Sequence, residues 1–199
     1  MSSHSAPINL TDHFLIAMPG LEDALFGKSV VYVCEHNAKG ALGLVINKPS
    51  DIDLSGLFEK VNLPMERGDL AAQPVFHGGP VQTERGFVLH DQSMLQDDKV
   101  ASPLYASSMS IPGGMEMTTS KDVLEAIASG SGPSRVLVSL GYSAWGEGQL
   151  ETELGENSWI TVSADRSIIF DTPVAERYDK ALALLGLQAW MISTQAGHA

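Results

Sequence analysis

Residues 29–49, SVVYVCEHNAKGALGLVINKP, constrain the fold more than any other stretch of the chain. Val30 to Glu35 is rich in β-branched and aromatic residues, which pack well on a pleated surface, and Leu42 to Asn47 has the same apolar character. Between them, Asn37-Ala-Lys-Gly40 supplies a turn, because glycine reaches positive φ freely and asparagine tolerates the left-handed region. The spacing predicts an antiparallel hairpin over 30–47, ended by Pro49. This hairpin names no reaction and reads as scaffold.

The rest of the chain is punctuated in the same way. Strands are predicted at His13–Ala17, Val75–His77, Phe87–His90, Ser107–Ile111, Met115–Thr118 and Val136–Leu140. The last of these is continuously apolar, as in a strand covered on both faces. Trp159–Val162 and Ile168–Phe170 read as a final hairpin over Asp165-Arg166. Helical spacing joins Leu54, Leu57, Phe58 and Val61, with Asp51 or Asp53 as cap. Thr119-x-x-Asp122 fits a capping box before Val123, Leu124 and Ile127, and Gly130 stops that helix. A Gly-rich turn, 141–148, precedes a short acidic helix around Leu150 and Leu154. Thr172 and Pro173 then open a helix bearing Tyr178, Leu182 and Leu185. Residues 62–73 and 91–102 read as loops. The sum is a mixed α+β fold, hairpin-rich and mostly antiparallel, with about four helices. Residues 13–190 form a single domain, flanked by flexible termini at 1–12 and 191–199.

Composition narrows the function. With 44% hydrophobic and 18% charged residues the chain is globular, well away from the disordered regime. Twenty-four acidic against 12 basic residues give a net charge of −12, which opposes direct nucleic-acid binding. The basic residues are not gathered in sequence: none lies between Arg135 and Arg166. A single cysteine, Cys34, excludes an internal disulfide framework and fits a reducing compartment. Residues 1–13 carry no Lys or Arg and no signal-peptide core, and the apolar run Ala181–Ile192 is too short to span a bilayer. A cytoplasmic protein without membrane contact is expected.

Four motifs invite chemical readings. Gly20 to Ser29 ends in Gly-Lys-Ser like a phosphate-cradling loop, but the spacing requires glycine where Glu22 stands, and Val30-Val-Tyr-Val is β-forming. Gly141-Tyr-Ser-Ala-Trp-Gly146 resembles a nucleophile elbow around Ser143, except that Trp145 replaces the second glycine and the only later histidine is His198. Cys34 and His36 fall on one face of a regular strand and, with His77 and His90, offer metal-ligand chemistry. No pair has the close spacing of a zinc site, and Cys34 in an apolar strand reads as a core residue. Last, His77-Gly-Gly-Pro80 followed by Arg85-Gly-Phe87 makes a hairpin turn whose arginine can grip a carboxylate or phosphate. No metal, cofactor or catalytic residue is assigned.

In order, these segments closely resemble the YqgE/AlgH family of bacterial proteins over residues 9–171. The resemblance rests on Phe14–Pro19, Ser29–His36, Gly40–Pro49, His77–Val81, Arg85–His90, Thr118–Ser120, Leu140–Tyr142 and Trp145–Glu151. It implies a compact αβ fold, a cytosolic location and a regulatory label, since the family's second name reflects a proposed role in transcription of alginate synthesis. Ser143-Ala144 departs from the family's usual Ala-Gly, which weakens Ser143 as a nucleophile. The leading expectation is a binding or regulatory protein acting indirectly on gene expression through a protein partner. Its surface would be built from Asn47, Lys48, His77, Gly78, Gly79, Arg85, Tyr142, Trp145 and Gln149, on the Gly78–Arg85 and Gly141–Gln149 turns. The alternative is a small-molecule binder or enzyme that uses the same turns.

Overall fold

The computed structural model describes residues 7–92 and 105–192. In chain order its elements begin with strands β1 (His13–Ala17), β2 (Val30–Asn37), β3 (Gly40–Val45) and β4 (Pro49–Asp53), then helices α1 (Leu54–Lys60) and α2 (Gly68–Ala71). Strands β5 (Pro74–His77), β6 (Val81–Asp91), β7 (Ser108–Ile111) and β8 (Met115–Thr118) lead to α3 (Lys121–Ala128). After β9 (Val136–Trp145) come α4 (Gln149–Gly155), β10 (Trp159–Ser163), α5 (Arg166–Phe170) and α6 (Arg177–Ala183), with 3-10 turns at Val174–Glu176 and Ala189–Ile192. The ten strands make one curled sheet in the order β10-β1-β2-β3-β9-β6-β8-β7, with β5 joined to β9 in parallel and β4 to β5. Every other pairing among the described residues is antiparallel. This is a mixed α/β fold whose four longest helices are the four expected.

Side-chain alternation divides the core. Phe14, Ile16, Tyr32, Leu44, Phe87, Leu89 and Leu137 point into the curl, where Ala181 and Leu182 of α6 cover them. Leu15, Val31, Val33 and Val45 point to the outer face of one half-sheet, against Leu150 of α4 and the Trp145–Trp159 pair. Val75, Val88, Val136 and Val138 do so on the other half, under α1 and α3. Nearly every central strand is therefore apolar on both faces, as the unbroken run in β9 foretold.

β9, rather than the 30–47 hairpin, is the hub. Its first half pairs with β6 on one edge and β5 on the other, and its second half with β3. The expected turn at 141–148 shrinks to 146–148, because Gly141, at φ +76°, bends the strand without ending it. The Gly78–Arg85 turn likewise shrinks to Gly78-Gly79-Pro80. Residues 81–85 are strand, with an irregularity between Val81 and Gly86.

Other local expectations change for equally local reasons. Ile168–Phe170 is helical: Asp165 caps it by accepting from the Ser167 amide at 2.8 Å, and Ile168 and Ile169 are both buried, which alternation would forbid. Pro49 starts β4 instead of only ending the hairpin, and α2 occupies part of the 62–73 loop. Ser120, not Thr119, takes the cap position of α3. The end of α3 is as predicted, with Gly130 at φ +82° and Ser131 N–H reaching Ala126 O at 3.0 Å. Leu185 is exposed, because α6 ends at Ala183. Residues 7–12 lie against β2, where Leu10 is buried and Asp12 N–H donates to Val33 O at 2.9 Å. The expected loop over 93–102 and the terminal residues 1–6 and 193–199, His198 included, lie outside the described residues.

Candidate functional site

The four metal-capable side chains are dispersed. A bulge at Cys34, where the β2–β3 register shifts between Val33 and Glu35, reverses the alternation. Cys34 therefore points into the curl and His36 to the outer face, contrary to the single face expected. Burial pushes the Cys34 thiol well above its ordinary range, which disfavours the reactive thiolate. His90 sits at the opposite end of β9, opposite Val136, bonded to Thr118 Oγ1 at 2.8 Å. The His77 residue is exposed beside Leu140. Ser143 is fully buried and donates its hydroxyl to Gly78 O at 3.0 Å, so it braces the two glycine segments. In the Gly-Lys-Ser segment, Gly27 N–H is turned onto Asp23 O and Val30 starts β2 directly.

The two glycine segments do meet, as a buried junction. Gly78 N–H donates to Leu140 O, while Gly78 O accepts from Val45 N–H, both at 3.0 Å. Gly79 lies against the Tyr142 carbonyl. Tyr142 packs edge-on to Phe87 with centroids 5.3 Å apart, and Trp145 is buried in a three-ring cluster with Phe26 and Trp159. Gln149 accepts from Gly146 N–H at 3.0 Å and so closes the turn before α4. Arg85 is exposed, donating to Gln82 and Thr119 side chains, with its guanidinium 6.0 Å from the Phe87 ring centre.

Asn47 and Lys48 stand elsewhere, at an open groove of about 650 Å³. Lys28 and Lys48 rim one wall, and Val174, Tyr178 and Ala189 form the other, beside Asp179. Asn47 accepts from Val30 N–H at 2.9 Å and donates to Lys28 O at 2.8 Å, while Lys48 Nζ donates to Gly27 O at 2.6 Å. Both side chains staple the 27–30 segment that shapes the groove. Asn47→Ala is expected to cost about 1–2 kcal/mol in urea unfolding, since it orphans a half-buried amide and a carbonyl.

The sequence profile of the AlgH-like family matches residues 14–190. The chain belongs to the AlgH-like family. Among curated AlgH-like relatives, the UPF0301 protein of Acidovorax sp. (strain JS42) is 68% identical over 199 residues, and that of Polaromonas sp. 69%, each aligned over its full length. The solution structure of the AlgH protein from Pseudomonas aeruginosa is similar at 45% identity, with TM-score 0.74 and 98% of both chains covered. A crystal structure of a Corynebacterium diphtheriae protein shares the fold at TM-score 0.72 and 18% identity, over 96% of this chain and 94% of that one. Among the described residues no helix is long and apolar enough to cross a membrane.

The AlgH-like match places no chemistry, and two side chains of consequence have roles that no sequence motif indicates. Arg177 is 6% exposed, and His36 bridges the N-terminal segment to α4. Arg177 had one signal in the sequence: it stands four residues before Ala181 and so shares the apolar face of α6.

Proposed function

We propose that this AlgH-like chain is a cytoplasmic regulatory binding protein that acts on gene expression indirectly, by docking a protein partner in the groove between Lys48 and Tyr178. The carrying observation is the groove's apolar flank. The 3-10 turn that supplies Ala189 to the wall presents Trp190 at 68% exposure and Met191 at 43%, and Leu184 and Leu185, just after α6, are exposed as well. Four large apolar side chains exposed between residues 184 and 191 support a binding surface here over ordinary scatter. Lysines 28 and 48 at the opposite rim, in a chain of net charge −12, favour a partner segment that is apolar with acidic flanks. The same net charge disfavours DNA as the direct ligand.

The test is affinity purification of the full chain from its native cytoplasm, followed by binding of the recovered partner to purified variants. Trp190→Ala and Lys28→Glu should each weaken binding at least about ten-fold, ~1.4 kcal/mol, with the unfolding midpoint unchanged. Unaltered binding in both variants removes the groove. Retention of labelled DNA by the isolated protein at low salt replaces this reading with direct DNA binding.

A further inference from the structure

Arg177 is a buried cation without a carboxylate partner among the described residues. Its Nη1 donates to Ile46 O at 2.6 Å and its Nε to Thr172 O at 3.0 Å, while the guanidinium lies 5.1 Å from the Phe76 ring centre. These contacts orient the charge but do not cancel it, and Arg177 forms no ion pair with any described residue. Burial alone pushes the guanidinium down to about 10, as expected of a cation lacking a counter-charge. Buried charges are ordinarily paired, because desolvation is costly.

Arg177 also lines a cavity of about 210 Å³ between β5, the start of β9, α5 and α6. Phe76, Leu137, Ile169 and Pro173 supply apolar wall, and Gln73 and Thr172 add polar groups. One carboxylate, Asp171, borders the cavity, but it is held by Arg135 at 2.9 Å. Arg135 and Arg166 also share Asp91, so that network of two cations and two anions is neutral by itself. The uncompensated charge is Arg177's single positive one.

We infer that this cavity is a binding site for a small organic monoanion, a short-chain carboxylate whose oxygen meets Nη2 of Arg177, which makes no hydrogen bond among the described residues, and whose alkyl end lies on the apolar wall. A monoanion restores neutrality, whereas a phosphate dianion leaves a net negative charge in the same apolar surroundings. The cavity adjoins the partner groove through Val174, but the assignment rests on Arg177 and stands whether or not that groove binds a protein.

Sodium butyrate is the probe, followed by NMR on the full chain through the Arg177 Nε–H resonance and the amides of residues 171, 172 and 174–178. Butyrate should shift these signals saturably, while butan-1-ol of matching shape and inorganic phosphate should not. Gln73→Glu, which adds a carboxylate to the cavity that Arg177 lines without changing volume, should weaken butyrate binding at least ten-fold, and Arg177→Met should abolish it. Gln73 makes no side-chain hydrogen bond among the described residues, so its variant reports even if Arg177→Met fails to fold. An unresponsive wild type, equal binding in Gln73→Glu, or phosphate binding as tightly as butyrate overturns the assignment.

Discussion

Gly79→Ala is expected to leave the protein unfolded or nearly so, with a loss of more than about 4 kcal/mol against a typical total of about 5–15 kcal/mol. A Cβ at Gly79 would lie 2.2 Å from the Tyr142 carbonyl carbon and oxygen and 2.4 Å from Ser143 N. Favourable contact between heavy atoms needs about 3.5–4.0 Å. The obstacle is backbone, so no side-chain rotation relieves it, and β9 cannot retreat because β3 and β6 hold it from both edges. Gly78→Ala meets Gly141 O at 2.3 Å and should behave alike. Gly155→Ala is the control, since nothing lies within 4 Å of the added carbon, and its change should stay within about 1 kcal/mol. Urea denaturation of the three variants reads the contrast. A Gly79→Ala midpoint near that of Gly155→Ala would show that the two glycine segments do not pack as described.

The same junction shows what the residues reveal unaided and what they withhold. The 30–47 hairpin, the strand at His13–Ala17 and the capped helix after Asp53 are governed by local turn chemistry and periodicity, and they form where expected. Gly78-Gly79 and Gly141-Tyr142 were legible as glycine-rich but not as mutually packed. Their requirement for glycine comes from one another, 62 or more residues apart, and no local window contains both. Gly141 read as a turn for that reason, whereas tertiary pairing keeps the strand running to Trp145. The bulge at Cys34 is of the same kind, since one extra residue in β2 is visible only against β3, yet it moves His36 to the other face. Arg177 was hidden differently: a charged residue reads as solvent-facing, and only the carbonyls of Ile46 and Thr172 make its burial tolerable.

His36 carries the other large expected effect. Its ring accepts from Leu10 N–H at Nδ1, 3.0 Å away, so the proton of the neutral ring is on Nε2, which donates to Glu151 at 2.6 Å. Its own amide donates to Thr11 Oγ1 at 3.0 Å. One buried side chain thus ties the N-terminal segment, β2 and α4 together. His36→Ala removes the ring's packing and leaves Leu10 N–H buried without an acceptor, a loss of about 2–4 kcal/mol in chemical denaturation. Glu151→Gln keeps an acceptor at the same place and should cost under about 1 kcal/mol, because the carboxylate is 42% exposed and its charge is screened. That small difference has a defined pH dependence. The backbone hydrogen bond at Glu151 itself, then the bond from His36, hold its carboxyl below the ordinary 4.5. A depressed carboxyl contributes stability that is complete above the unfolded value and disappears as pH falls through the folded one. Wild type and Glu151→Gln should therefore differ at pH 7 and converge below pH 4.5. A gap that persists unchanged in acid would mean that the Glu151 charge plays no part in holding α4 to β2.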